Sequence, residues 1–252
     1  MLVAPLPSFQ ASLRTRRLMA GTGQLSFRTE HLAEGVTLYC GDMMEVLPTL
    51  GEFDACVTDP PYGIGADAAA AKNKGKWGWT FYGDTNWDQA RPAREAFELI
   101  RERSSIQIIW GGNYFTDILP PTMQWLMWDK GQREFSLADF EMAWSSQNKA
   151  ARAITYPRAR ALQDGKEHPT QKPVEVMVWC IDQLPSTAAT IIDPFMGSGT
   201  TGVAAVKRGK AFYGIEREPT YFDVACRRIR DALARPDLFV EPALSPKQEA
   251  LL

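Results

Sequence analysis

Asp193-Pro194-Phe195-Met196-Gly197-Ser198-Gly199-Thr200-Thr201-Gly202 follows a short apolar run, 190–192, that reads as a strand, and it opens a stretch that reads as a helix. Its glycines permit a tight turn and let a ligand approach the backbone. Open α/β sheets hold their ligands at such turns, beyond the carboxyl ends of the strands. The next strand-like run, 211–215, ends at Glu216, where a carboxylate can accept hydrogen bonds from two ribose hydroxyls. The glycines also spell G-x-G-x-x-G, a dinucleotide fingerprint. That fold places the fingerprint early, with most of its sheet after it, whereas here most strand-like runs lie upstream. On this stretch alone, a glycine turn with no ligand stays open.

Outward from the turn, further strand-like runs occupy 36–40, 54–58, 106–110, 124–128 and 140–144. Several are continuously apolar, as strands buried on both faces of a parallel sheet are. Helical stretches alternate with them. Phe222, Ala225, Cys226, Ile229 and Leu233 make one apolar stripe at helical spacing. Val174, Met177, Val178 and Ile181 do the same, behind Thr170 as an N-cap and Pro173 in the first turn. The alternation predicts an open α/β sheet with helices on both faces. Two stretches break it. Residues 63–88 are rich in Gly, Lys, Ala and Trp, and Trp77, Trp79, Phe81, Tyr82 and Trp87 there can stack on bases or form a small satellite core. Residues 145–167 carry Lys149, Arg152, Arg158, Arg160 and Lys166 against only Asp164 and Glu167. Loops of this length in compact domains are functional or disordered. We expect a flexible arm over 1–24, one domain over 25–235 with these two insertions, and a tail over 236–252.

The chain has 252 residues, 45% of them hydrophobic and 23% charged, with net charge −2, proportions ordinary for a globular protein. Nucleic-acid binding therefore has to rest on a local basic patch, not on a global field. Cys40, Cys56, Cys180 and Cys226 are far apart and form no CxxC pair, which argues against a disulfide framework and for a reducing cytoplasm. Only His31 and His168 are present, so a histidine-based metal centre is not expected. No long apolar run suggests a membrane span, and Arg14, Arg16 and Arg17 follow the first apolar stretch where a secretory signal has its basic residues before it.

The second chemical motif is Asp59-Pro60-Pro61-Tyr62, at the end of the run 54–58. The amino nitrogen of a nucleobase is a poor nucleophile because its lone pair is delocalised into the ring. A carboxylate and a backbone carbonyl that hold its N–H bonds favour a pyramidal nitrogen whose lone pair points outward. Pro60 and Pro61 lack N–H groups and stiffen the turn. Tyr62 offers a ring for a flipped base, worth roughly 1–3 kcal/mol, against the few kcal/mol that unstacking costs.

Together, and in this order, DPPY and DPFMGSGTTG resemble the beta-class amino-group (N6-adenine/N4-cytosine) site-specific DNA methyltransferases, over about residues 36–230. The resemblance implies a Rossmann-like fold that binds S-adenosylmethionine, with a mainly parallel sheet, one reversed strand and a circularly permuted motif order. It implies that Asp59, Pro60, Pro61 and Tyr62 are catalytic. It implies cofactor contacts from Asp193, Phe195, Gly197, Ser198, Gly199, Thr200 and Glu216, and from Asp42 in Cys40-Gly41-Asp42 to the adenine amino group. His168, Thr170 and Lys172, in HPTQKP, fall near the cofactor's methionine end. Gly111-Gly112-Asn113-Tyr114-Phe115 resembles a segment lining the methyl-transfer pocket. Lys149, Arg152, Arg158, Arg160 and Lys166 occupy the slot of the target-recognition segment and are expected to bind DNA. A homodimer, double-stranded DNA as partner, and a bacterial or phage cytoplasm follow from the same resemblance; a restriction endonuclease partner stays open.

Asp before the two prolines favours N6 of adenine over N4 of cytosine. The absence of a Pro-Cys nucleophile segment argues against carbon-5 methylation. Methylation of RNA or of a protein glutamine, a silent DNA-binding module and a nicotinamide-dependent enzyme are the rival readings.

Overall fold

Apolar β-rich runs flanked by amphipathic helices bury both faces of a sheet, and this determines the fold. The computed structural model describes residues 27–65, 88–133, 138–157, 160 and 171–235. Among these, nine strands form one sheet: β1 (Arg28–Ala33), β2 (Val36–Cys40), β3 (Phe53–Thr58), β4 (Ser104–Trp110), β5 (Trp125–Asp129), β6 (Phe140–Ser145), β7 (Arg152–Thr155), β8 (Thr190–Asp193) and β9 (Ala211–Glu216). Their order is β1-β2-β9-β8-β3-β4-β6-β5-β7. The five strands from β2 to β4 in that order are parallel. β6 runs against β4 and β5.

The expected single reversed strand is therefore β6, but a second one exists. β1 pairs antiparallel with β2 at the far edge. All seven expected strands form, with ends shifted by a residue or two. β1 and β7 were not expected because both are edge strands: β7 exposes Arg152, Ala153 and Thr155 and half-buries only Ile154, so neither shows an apolar pattern.

Helices α1 (Met43–Val46), α2 (Arg94–Arg103), α3 (Val174–Ile181), α4 (Thr200–Lys207) and α5 (Pro219–Ala234), with two short 3₁₀ turns at Leu47–Thr49 and Gly112–Tyr114, complete the described elements. Val176, Met177 and Cys180 of α3, Val203 and Ala204 of α4, and Phe222, Ala225 and Ile229 of α5 pack with Leu38, Ala55, Val57 and Ile191 on one face. Met43, Val46, Ala96 and Ile100 cover Phe53, Cys56, Ile192 and Ile215 on the other. The α5 stripe is the predicted one, with Leu233 packed at its end. The start of α3 differs from expectation: Pro173 is the cap residue and makes no side-chain cap bond, while Thr170 lies outside the described residues.

From β3 the chain passes through α2 to β4 on one side, and from β8 through α4 to β9 on the other. β8 and β3 are neighbours, so the strand order reverses between them. Ligands of doubly wound sheets sit at that switch point, above the carboxyl ends of the strands. Asp193 and Asp59 are the residues standing there.

Candidate active site

β8 delivers Asp193 to the switch point, almost wholly buried. Its Oδ1 accepts from Thr58 Oγ1 at 2.7 Å and from Phe195 N at 3.1 Å. Burial pushes this carboxyl up to about 6. The loop then turns through Gly197 and Gly199, and Gly199, at φ +79°, caps α4. A Cβ on Gly199 would lie 2.9 Å from Ala225 Cβ, so only glycine lets α4 approach α5. Arg228 of α5 locks the loop: its Nη1 donates to Ser198 O (2.6 Å), Ser198 Oγ (2.9 Å) and Thr200 Oγ1 (3.2 Å).

Glu216 ends β9 facing the same loop. Its Oε2 accepts from Gly197 N and its Oε1 from Glu218 N, both at 2.9 Å. Burial pushes its carboxyl up to about 7, against those two bonds. Asp42 caps α1, accepting from Met44 N at 2.8 Å. Asp42, Asp59, Lys172, Asp193, Phe195, Gly197, Ser198, Thr200 and Glu216 all line one cleft, which encloses about 970 Å³ of empty space, part of it open solvent.

At the other end of the cleft stands Asp59, its side chain 25% exposed. Lys172 Nζ sits 2.6 Å from Asp59 Oδ2, 3.2 Å from Glu141 Oε2 and 3.2 Å from the Tyr62 hydroxyl. Lys130 Nζ takes the other Glu141 oxygen at 2.7 Å. Tyr62 donates its hydroxyl to Asp59 Oδ1. Burial pushes Asp59 above the usual carboxylate range, with Lys172 pulling against it. Burial pushes Glu141 the same way, but Lys172 and Lys130 outweigh it and hold Glu141 at about 2.

The Tyr62 ring is held from three directions. Tyr114 stacks on it, with centroids 4.9 Å apart and planes at 17°, and Phe115 meets it edge-on. Gly111, at φ +68°, presses close enough that a Cβ would lie 2.1 Å from Tyr62 Cε1. Asp88 Oδ1 fixes the turn backbone, accepting from Tyr62 N (2.7 Å) and Gly63 N (2.9 Å).

Residues 111–227 match the model of a family described as DNA methylase. Over those residues the chain is similar to this family of DNA methylases. Among curated relatives, the type II methyltransferase M.HinfI of Haemophilus influenzae is 40% identical over 76 residues, 30% of this chain and 21% of the relative. The type II methyltransferase M2.DpnII of Streptococcus pneumoniae is 32% identical over 118 aligned positions, covering 38% of this chain and 44% of the relative. The chain thus spans less than half the length of each. Among solved structures, the M1.HpyAVI–SAM complex aligns with TM-score 0.54 and 22% identity over 76% of this chain and 98% of that one. The cytosine-N4-specific PvuII DNA methyltransferase aligns with TM-score 0.51 and 14% identity over 79% and 91%. These likenesses show the Rossmann-like methyltransferase fold.

The structure brings together both sequence motifs and Asp42. His168 and Thr170 lie outside the described residues, as do Arg158 and Lys166. Lys172 lines the cleft, but its ammonium is engaged by two carboxylates and a phenol. The other basic residues separate. Lys149 bonds Gln183 O and, with Arg152, sits at the amino end of β7. Arg160 follows the carboxyl end of β7 and packs over Tyr156, on the side of the cleft. Sequence reasoning missed Glu141, Lys130, Asp88 and Arg228, each a single charged residue inside an element or a loop with no motif around it. Gly111 had a signal: paired glycines after a strand mark a close backbone approach, here to an aromatic ring.

Proposed function

We propose that this chain transfers a methyl group from S-adenosylmethionine to the exocyclic amino nitrogen of a base in duplex DNA, N6 of adenine. One observation carries the reading: a half-buried aspartate followed by two prolines opens onto the same cleft as a glycine turn faced by a strand-end glutamate. The residues fit the cofactor. A carboxylate offers about four acceptor sites, and Glu216 uses two on the backbone, leaving capacity for two ribose hydroxyls. The amino end of α4 and the glycine loop favour negative charge and close approach. When bound, the cofactor supplies an electrophilic methyl on sulfonium sulfur.

The chain's own part is positioning and charge placement, with no covalent enzyme intermediate. The base flips out of the duplex and lies against the aromatic stack of Tyr62 and Tyr114. Asp59 and the Pro60 carbonyl accept the two amino N–H bonds and turn the nitrogen lone pair toward the methyl. Asp59 in its ionised form then takes up the proton that the methylated nitrogen loses. Arg160, beside the cleft, contacts phosphate. Two copies of the chain reading a short site agree with the modest size of the recognition segment.

The test is incubation with labelled S-adenosylmethionine and unmethylated duplex DNA of mixed sequence, followed by digestion to nucleosides and identification by mass. N6-methyladenine is expected. N4-methylcytosine would keep the mechanism and replace the base, and no methylated nucleoside despite cofactor binding would overturn the reading.

A further inference from the structure

We propose that Lys172 and Glu141 are positioning residues: Lys172 keeps Asp59 ionised and aimed at the substrate amino group, and Glu141 shares the ammonium so that Asp59 stays a strong acceptor. The inference rests on the amino-group reading above; it gives Lys172 a task other than the cofactor contact expected from HPTQKP, and Glu141 belongs to no motif. Lys172 is 5% exposed, and its ammonium meets Asp59, Glu141 and the Tyr62 hydroxyl. An ammonium has three donors, so all three are spoken for. The ammonium also lies 5.0 Å from the Trp110 ring centroid and 5.8 Å from that of Tyr62, which fixes the approach of its stem.

The charges alternate along this row: Asp59 negative, Lys172 positive, Glu141 negative, Lys130 positive. Each part has a physical task. A buried carboxylate without a partner protonates, and a protonated Asp59 cannot accept both an amino N–H and its proton. Lys172 removes that problem and creates another, because a cation bonded to one carboxylate alone would weaken it as an acceptor. Glu141 divides the ammonium between two carboxylates and so returns acceptor strength to Asp59. Lys130, stacked over Trp128 at the outer end, balances Glu141. Chain topology makes this possible. β6 runs opposite to its neighbours, so its first residues, Glu141 among them, arrive at the carboxyl ends of the parallel strands, where the site is.

The groups that face Asp59 are Tyr62 on its own turn, Lys172 before α3, Glu141 on β6 and Asp193 at the end of β8. Lys130 after β5 acts through Glu141, and Tyr114 through Tyr62. Of these, Glu141 and Lys172 pull Asp59 in opposite directions, which gives the proposal a signature that mere structural support would not produce.

The experiment is a ¹³C-carboxyl NMR titration of Asp59 in the full chain without cofactor or DNA, its signal assigned by Asp59→Asn. The midpoint is expected to move to lower pH in Glu141→Gln and to higher pH in Lys172→Met. Should Lys172→Met not fold, Lys130→Met takes its place, with a smaller upward move. Midpoints that coincide with wild type, or that move in the same direction in Glu141→Gln and the lysine variant, overturn the proposal. Single-turnover methylation by the same proteins separates it from the functional reading. Wild type that transfers no methyl sinks the reading and leaves the titration standing. Active wild type, with a rate that falls in Glu141→Gln at unchanged KM for DNA, supports both.

Discussion

Glu216 illustrates how one side chain carries a pH dependence into the site. Its carboxyl is pushed up to about 7, against an ordinary value of about 4.3. The folded chain therefore holds a proton that the unfolded chain has already released. In the ligand-free protein this contribution to stability is present below about 4.3 and is lost as pH rises through about 7; Asp193, at about 6, acts in the same sense. Ribose hydroxyls donate to the ionised form, so cofactor affinity should rise up to about tenfold per pH unit below 7 and level off above it. Calorimetric titration with S-adenosylmethionine from pH 5.5 to 8.5 reads this directly, and Glu216→Gln should weaken binding and flatten the curve. A wild-type curve already flat would remove the ribose role from Glu216. Tyr62 is separable in a similar way. Tyr62→Phe keeps the ring between Tyr114 and Gly111 but loses the bonds to Asp59 and Lys172, whereas Tyr62→Ala loses the stack as well and should cost roughly 1–3 kcal/mol more in productive base binding. Gly111→Ala combines a strained φ, about 1–2 kcal/mol, with a Cβ inside the Tyr62 ring contact. Melting temperature and methylation rate should fall together, and wild-type values for both would show that the ring moves aside freely.

At the scale of elements, the glycine loop is held as much from behind as by its own turn. Arg228 makes three bonds from α5 to Ser198 and Thr200, while Gly199 lets α5 come close. Removing the guanidinium in Arg228→Met leaves those backbone and hydroxyl groups without their charged partner, at about 1–3 kcal/mol. Cofactor affinity should drop with little change in the far-ultraviolet circular dichroism, since α4 and α5 keep their apolar contacts. An unchanged cofactor Kd in this variant would mean that the turn holds its own shape. Here the reach of sequence reading is visible. Periodicity disclosed α5, because its buried stripe repeats, and the central strands, because burial on both faces leaves continuous apolar runs. It could not disclose β1 and β7, whose residues bury little, nor Arg228, whose partners lie some thirty residues away and leave no local pattern. The two motif turns, Asp59-Pro60-Pro61-Tyr62 and the glycine loop, were legible because they are chemistry written in consecutive residues; Glu141 was not, because only the reversal of β6 brings it to the site.

For the whole molecule, the proposed function and the switch point between β8 and β3 together say where DNA should lie. Both motifs end at the carboxyl side of the sheet, so on the proposed function a duplex presenting a flipped base should approach from there. The basic stretch read as one recognition segment is divided by β7: Lys149 and Arg152 sit at its amino end and Arg160 beyond its carboxyl end. Three residue steps of about 3.3 Å separate the ends of this strand, so the two groups are about 10 Å apart along the sheet before side chains are counted. Lys149 also donates to Gln183 O beyond the far end of α3, which anchors it away from the cleft. A phosphate contact contributes close to one unit to the slope of log K against log salt concentration. Arg160→Ala should therefore weaken DNA binding and reduce that slope by about one, whereas Lys149→Ala should leave both near wild type. The measurement is fluorescence anisotropy of a labelled duplex from about 50 to 200 mM salt, the range over which such contacts show most clearly. Equal losses from both variants would mean that DNA wraps past the edge strand to its amino end. A loss from Lys149→Ala alone would place the duplex on the opposite side of the sheet, and the direction of base entry argued from the switch point would have to be given up.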